Sequence, residues 1–131
     1  IDRITFPADS KTTLSATLTT GRADATGMAN SGVAGYFGGG ADSVGFLSGI
    51  DKITFPADSK TTLSATLTSA RNTAAAMADN GVAGYFGGGN TGSRQDNIDR
   101  ILFPLDSKTT LLAVLSSARR TMAGMANSGV I

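Results

Sequence analysis

Residues 50–63 have the sequence IDKITFPADSKTTL, and nearly the same sequence occurs at residues 1–14 and 98–111. The copies begin at residues 1, 50 and 98, so the period is 49 and then 48 residues. A period of this size is typical of blade arrays and solenoids, in which one supersecondary unit packs against copies of itself. We therefore expect repeat units at residues 1–49 and 50–97 and a partial third unit at residues 98–131.

The repeated stretch carries the period-two pattern of a strand. Ile53 and Phe55 fall on one face of residues 50–55, with polar side chains between them. Residues 56–59, with the sequence PADS, have the chemistry of a turn. In residues 61–68 apolar side chains alternate with Ser and Thr, which predicts a second, half-buried strand.

A helix is the alternative interpretation of the second half of this region. Asp58 and Ser59 would cap it and Gly81 would end it. Its apolar stripe would be Leu63, Leu67, Ala70, Ala74 and Met77. Several threonines within residues 61–68 are β-branched and disfavour a helix, so the strand interpretation is preferred there.

The rest of each repeat is built from small residues. Residues 72–78 surround Met77 with alanines, and residues 82–89 end in three glycines. Glycine permits close approaches and backbone dihedral angles that other residues avoid. We expect crowded elements in these two segments.

The composition excludes several classes of function. Eleven basic and ten acidic side chains give a net charge of +1, which is not the charge of a nucleic-acid-binding or membrane-surface protein. The chain has neither cysteine nor histidine, so most hydrolytic triads and zinc sites are excluded and no metal or cofactor is expected. No apolar run approaches the roughly 18 residues of a membrane-spanning helix, and the first residues do not form a signal-peptide pattern.

The order of the pieces resembles the kelch repeat. An arginine, a turn and a Tyr-Phe-Gly-Gly-Gly segment follow one another, and the matching residues are Arg22, 30–32 and 36–40, then Arg71, 79–81 and 85–89, then Arg119 and 127–130. The tryptophan that the family usually carries ahead of the arginine is missing, which puts one contact between blades in doubt. The repeats of this chain look most like the kelch-like repeats of bacterial, notably cyanobacterial, surface proteins and of phage tail proteins.

This resemblance implies an all-β, kelch-like β-propeller segment of antiparallel four-stranded blades. It also implies a non-enzymatic structural or attachment role at a cell surface, on an extracellular appendage or on a virion. A propeller needs about four or more blades, so self-association or further blades of a longer chain are expected as partners. The alternatives are a ring or fibre subunit that binds no ligand, and a non-catalytic segment of a larger propeller enzyme.

The repeated charged residues are predicted to be structural. A guanidinium group at Arg22, Arg71 and Arg119 can bind strand carbonyls or a carboxylate. The aspartates of the PADS turns are expected to cap those turns rather than bind calcium, and Tyr36 and Tyr85 are expected to pack between blades.

Function is expected in the loops that differ between the copies, residues 41–49 and 90–97. A rigid scaffold that presents variable loops commonly binds its partner through them. A surface glycan or a protein receptor is the expected ligand. The candidate binding residues are Phe46, Leu47, Arg94, Gln95 and Asp96.

Overall fold

The computed structural model of the protein describes residues 1–125. All regular structure in this range is β-structure, as the repeat pattern predicts, and the range contains no helix. The predicted turn at residues 127–130 lies outside it. The strands are β1 (Asp2–Thr5), β2 (Ser10–Thr13), β3 (Thr26–Asn30), β4 (Ala34–Gly38), β5 (Ile50–Thr54), β6 (Ser59–Thr62), β7 (Ala75–Asp79), β8 (Ala83–Gly87), β9 (Ile98–Leu102) and β10 (Ser107–Thr110).

The strands form three antiparallel sheets. Strands β1 and β2 make a hairpin, which we call the first hairpin; β3 to β6 make the first sheet and β7 to β10 the second sheet, each in sequential order. The four-stranded antiparallel unit that the resemblance implies is therefore confirmed twice. No sheet closes on itself within the described residues, and the placement of such sheets around a propeller axis stays a prediction.

Each of the two four-stranded sheets joins two sequence repeats. The first sheet takes β3 and β4 from residues 1–49 and β5 and β6 from residues 50–97. Strand β5 pairs with β4 in a register that sets Ile50 opposite Gly38 and Thr54 opposite Ala34. The IDKIT stretch thus fastens each unit to the preceding one through backbone hydrogen bonds.

The strand predicted over residues 61–68 is wrong beyond Thr62. Strand β6 ends there, and the following backbone donors bind elsewhere: Leu67 N donates to Ser48 O, and Thr68 N donates to the carboxylate of Asp99. The alternation of apolar and polar side chains therefore belongs to an irregular segment that still buries Leu67. The alternative helix over the same residues is also wrong.

The main core lies between the two sheets. Phe86 of the second sheet packs so closely on the first that a Cβ atom at Gly38 would lie 2.7 Å from its ring. The rings of Tyr36 and Phe103 stack with their centroids 5.1 Å apart, so Tyr36 does pack between units as predicted. The buried cluster comprises Ala34, Tyr36, Ile50, Leu67, Ala78, Phe86, Ile101 and Phe103.

The aspartates of the PADS-type turns form ion pairs between units. Asp106 in the β9–β10 turn accepts hydrogen bonds from the Tyr36 hydroxyl at 2.8 Å and from Lys52 Nζ at 2.7 Å. Asp58 in the β5–β6 turn pairs in the same way with Arg3 of the first hairpin. The turn aspartate therefore finds its cation in the preceding unit and not in the lysine that follows it in sequence.

Candidate functional site

The variable loops leave the sheets at one common end, which we call the loop edge. In a sequential antiparallel sheet the connections alternate between the two ends. The β4–β5 loop, the β6–β7 crossing and the β8–β9 loop therefore share one end of the sheets, formed by residues 39–49, 63–74 and 88–97. The short turns of the sheets lie at the opposite end, the turn edge.

A buried ion pair underlies the second variable loop. The side chains of Arg71 and Asp99 are both fully buried, with Nη2 2.8 Å from Oδ2. The guanidinium group also donates to Phe86 O and to Asn97 Oδ1. Asp99 further accepts hydrogen bonds from Thr68 and Thr110. The arginine thus joins the segment after β6 to the base of the β8–β9 loop.

The same arrangement recurs one repeat earlier. Arg22 donates to the carbonyl oxygens of Gly39 and Gly49 at 3.0 and 3.1 Å and pairs with Asp51 at 3.3 Å. Thr19 and Thr62 take the places of Thr68 and Thr110 on the carboxylate. The predicted structural role of the arginine is confirmed at these two positions, whereas Arg119 is exposed and bonds to Ser116 and Ser117.

The sequence interpretation missed Asp51 and Asp99 as buried partners of these arginines. Burial by itself would raise the pKa of Asp99, but hydrogen bonds from Thr68 and Thr110 and the charge of Arg71 bring it below its usual value. The pKa of Asp51 is lowered by the same balance of burial, threonine hydrogen bonds and the charge of Arg22. The recurring order of threonine, arginine and aspartate in each repeat was the signal that could have revealed the cluster.

These lowered pKa values predict sensitivity to acid. A carboxyl group whose pKa is lower in the folded protein stabilises it above the unfolded pKa of about 3.9 and loses that contribution as the pH falls through the folded value. We expect the free energy of unfolding, measured by urea denaturation, to fall steadily below about pH 4. The Asp99→Asn variant should show a flatter curve over this range, and an equally steep curve in that variant would contradict the prediction.

Backbone bonds join the two variable loops into one structure. Ala41 pairs with Phe46 across the first loop, and Asn90 pairs with Arg94 across the second. Arg71 N donates to Leu47 O, while its neighbour Asn72 pairs with Asn90. The bases of the loops are therefore tied to each other through residues 71–72.

The first loop is braced by its own aspartate. Asp42 Oδ1 accepts hydrogen bonds from Val44 N at 2.8 Å and Gly45 N at 2.9 Å, and these two bonds lower the pKa of Asp42. The bracing leaves Val44 at the tip, 93% exposed. Phe46 is exposed beside it, and Leu47 is half-buried at the base. Val44 was missed in the sequence, although a valine between a serine and a glycine near the middle of the loop was the available signal.

The second loop is braced by a glutamine. Gln95 Nε2 donates to Thr91 Oγ1 at 2.9 Å and to Ser93 O at 3.2 Å. Gln95 therefore holds the loop, as Leu47 does in the first loop, while Arg94 and Asp96 are exposed. The five candidate residues thus divide into two that support the loops and three that face solvent.

Residues 1–125 contain no group of three or more acidic side chains placed to hold a metal ion. They also contain no helix long and apolar enough to cross a membrane.

Comparison of the chain with models of protein families and with curated proteins finds no match. What the structure shows is an all-β fold with one two-stranded and two four-stranded antiparallel sheets within the described residues. The kelch resemblance stays a prediction that rests on the residues quoted for it.

Proposed function

We propose that the protein is a non-enzymatic structural or attachment module, a kelch-like propeller segment of a cell surface, an extracellular appendage or a virion. The observation that carries the proposal is the loop edge: two loops of different chemistry stand on equivalent, buried Arg–Asp clusters. The first presents the apolar side chains of Val44 and Phe46, and the second presents the charged side chains of Arg94 and Asp96.

Rigid support is what a binding loop needs. A loop that is already ordered loses less conformational entropy when it binds, so more of the contact energy appears as affinity. The bracing by Asp42 and Gln95 and the backbone bonds between the loop bases supply this order. The exposed surface is small, so useful binding would come from avidity over many copies.

The ligand class we propose is a surface glycan or a protein receptor, and the glycan arm is tested first. Beads carrying many copies of the chain are mixed with immobilised bacterial surface polysaccharides, and retention is measured. The variant Val44→Ser/Phe46→Ser should retain at least about tenfold fewer beads, because truncating the central apolar contacts of an interface costs more than about 1 kcal/mol for each such side chain.

The matched control changes two apolar side chains at the turn edge. Val33 and Val82 are 48% and 51% exposed, between Phe46 at 36% and Val44 at 93%, but they lie at the other end of the sheets. The variant Val33→Ser/Val82→Ser should bind as the unaltered chain does. Equal loss in both variants, or no retention by any polysaccharide or candidate receptor protein, would count against the proposal.

A second candidate function is a self-assembling subunit of a ring or fibre. The observation that favours it is one face of the second sheet, which carries Tyr85 and Arg100 and is covered only in part within the described residues.

A further inference from the structure

The second sheet has one face that the described residues cover only in part, through Leu115, Met122 and Ala123 of the segment after β10. Met77, Tyr85 and Arg100 lie side by side on it, because Met77 pairs with Tyr85 and Tyr85 pairs with Arg100 across strands β7, β8 and β9. Beside them is an apolar groove of about 250 Å³ lined in part by Ile98 and Leu111. We call the surface formed by Met77, Tyr85, Ile98, Arg100 and Leu111 the open face.

The equivalent face of the first sheet is covered. Met28, Tyr36 and Lys52 hold the same relative positions on β3, β4 and β5. There the ring of Phe103 stacks on Tyr36, and Asp106 binds both the tyrosine hydroxyl and the lysine. Tyr36 is consequently 1% exposed and Met28 is half-buried, whereas their counterparts on the open face are less covered: Tyr85 is half-buried and Met77 is 47% exposed.

The group that covers the first sheet occurs three times in the chain. It consists of an isoleucine, a phenylalanine and a turn aspartate, and its copies are Ile101, Phe103 and Asp106; Ile53, Phe55 and Asp58; and Ile4, Phe6 and Asp9. The three aspartates have φ angles of 53°, 53° and 50°, so the three turns share one conformation. Asp106 pairs with Lys52 and Asp58 pairs with Arg3, so two of the three copies have an ionic partner.

The third copy has no such partner among the described residues. Ile4 is 47% exposed and Phe6 is 83% exposed. Asp9 is exposed and forms no ion pair within residues 1–125. The first hairpin therefore presents the covering group, and the open face presents the tyrosine and the cation that such a group binds elsewhere in the molecule.

We propose that a second copy of this chain docks its first hairpin on the open face, with Asp9 of one copy bound to Arg100 and Tyr85 of the next. Phe6 then stacks on Tyr85 as Phe103 stacks on Tyr36, and Ile4 takes the place of Ile101. This inference deepens the second candidate function by naming the partner and its contacts, and its failure would leave the loop-binding proposal standing.

The proposed contact is head to tail. Each copy that uses its open face keeps a free hairpin, so association continues beyond two copies until a ring closes or a filament forms. The first hairpin carries the negative charge of Asp9, and the open face carries the positive charge of Arg100. Contact between a hairpin and an open face therefore brings opposite charges together, whereas hairpin-to-hairpin or face-to-face contact would bring like charges together. Association should therefore yield species larger than dimers.

Charge exchange tests the pairing. The unaltered chain and the variants Asp9→Arg and Arg100→Asp are compared by sedimentation velocity over a range of concentrations. Each single variant sets like charges against each other, and we expect its association to weaken at least about tenfold. Mixing the two variants, or combining them in one chain, restores opposite charges and should restore assembly to near the unaltered level.

Asp2→Arg is the matched control. It makes the same change of charge on the same hairpin, but Asp2 lies in the strand end away from the turn, and the variant should assemble as the unaltered chain does. Urea denaturation of each variant verifies that it is folded. A chain that stays monomeric or stops at dimers, single variants that assemble normally, or a mixture that fails to recover would each overturn the proposal.

Discussion

Replacing Asp99 with asparagine is expected to lower the free energy of unfolding by about 3–5 kcal/mol. The substitution keeps the shape of the side chain but leaves the fully buried guanidinium group of Arg71 without its counter-charge. Removing one partner of a buried ion pair is costly because the remaining charge has neither water nor an opposite charge nearby. Since small domains are stable by only about 5–15 kcal/mol, this loss is a large share of the total and should lower the urea denaturation midpoint clearly.

The repeat supplies the control for this prediction. Asp2 occupies the position of Asp99 in the first repeat, but its side chain is 51% exposed and its ionic partner is the exposed Lys11. Asp2→Asn should leave the urea denaturation midpoint unchanged, and Asp51→Asn should resemble Asp99→Asn. A loss of less than about 1 kcal/mol in Asp99→Asn, the size typical of an exposed pair, would show that the cluster does not hold the loop edge.

Replacing Gly39 with alanine is expected to lower the free energy of unfolding by about 2–5 kcal/mol. Gly39 has a φ angle of +65°, where an L-residue with a Cβ atom is strained by about 1–2 kcal/mol. The added Cβ atom would also overlap the backbone oxygen of Arg71 and lie 3.1 Å from Leu67 Cδ1. A clash with backbone cannot be relieved by a change of rotamer, and overpacking of this kind costs a further 1–3 kcal/mol or so.

Gly81→Ala separates the two causes. Gly81 has a φ angle of +76°, but nothing lies within 4 Å of the position its Cβ would take. This variant should show only the backbone strain of about 1–2 kcal/mol. Thermal and urea unfolding of both variants give the comparison, and equal losses would mean that the crossing segment does not pass as close to Gly39 as described.

The strands near the repeat start were predictable from the sequence, but the segment after Thr62 was not. Ile53 and Phe55 alternate with polar side chains because one face of β5 is directed toward the first hairpin. Its period of two can therefore be recognised in the amino-acid sequence. Residues 63–68 alternate as well, yet their amide groups bond to the loop edge and to Asp99. A hydropathy pattern predicts which side chains are buried, but it does not predict which acceptors the backbone N–H groups bind.

The candidate site was predicted in part for a related reason. Variation between the copies located both loops and their exposed side chains Phe46, Arg94 and Asp96, but it did not show that Leu47 and Gln95 hold the loop bases. Val44 reaches the tip only because Asp42 folds the loop beneath it. A side chain's direction in a loop depends on such local bonds, which single-residue patterns do not reveal.

The period and the alternation of side chains were enough to predict a repeated β-structure with one arginine per unit, and the kelch resemblance added the antiparallel pairing. Which repeat supplies the partner of each strand and each charged side chain became known only from the packing of the sheets. Strand β5 completes the sheet begun by the preceding repeat, Asp106 binds Lys52 of the preceding unit, and Asp99 binds Arg71. Identical copies offer identical partners, and only the packing of the sheets brings one particular pair into contact.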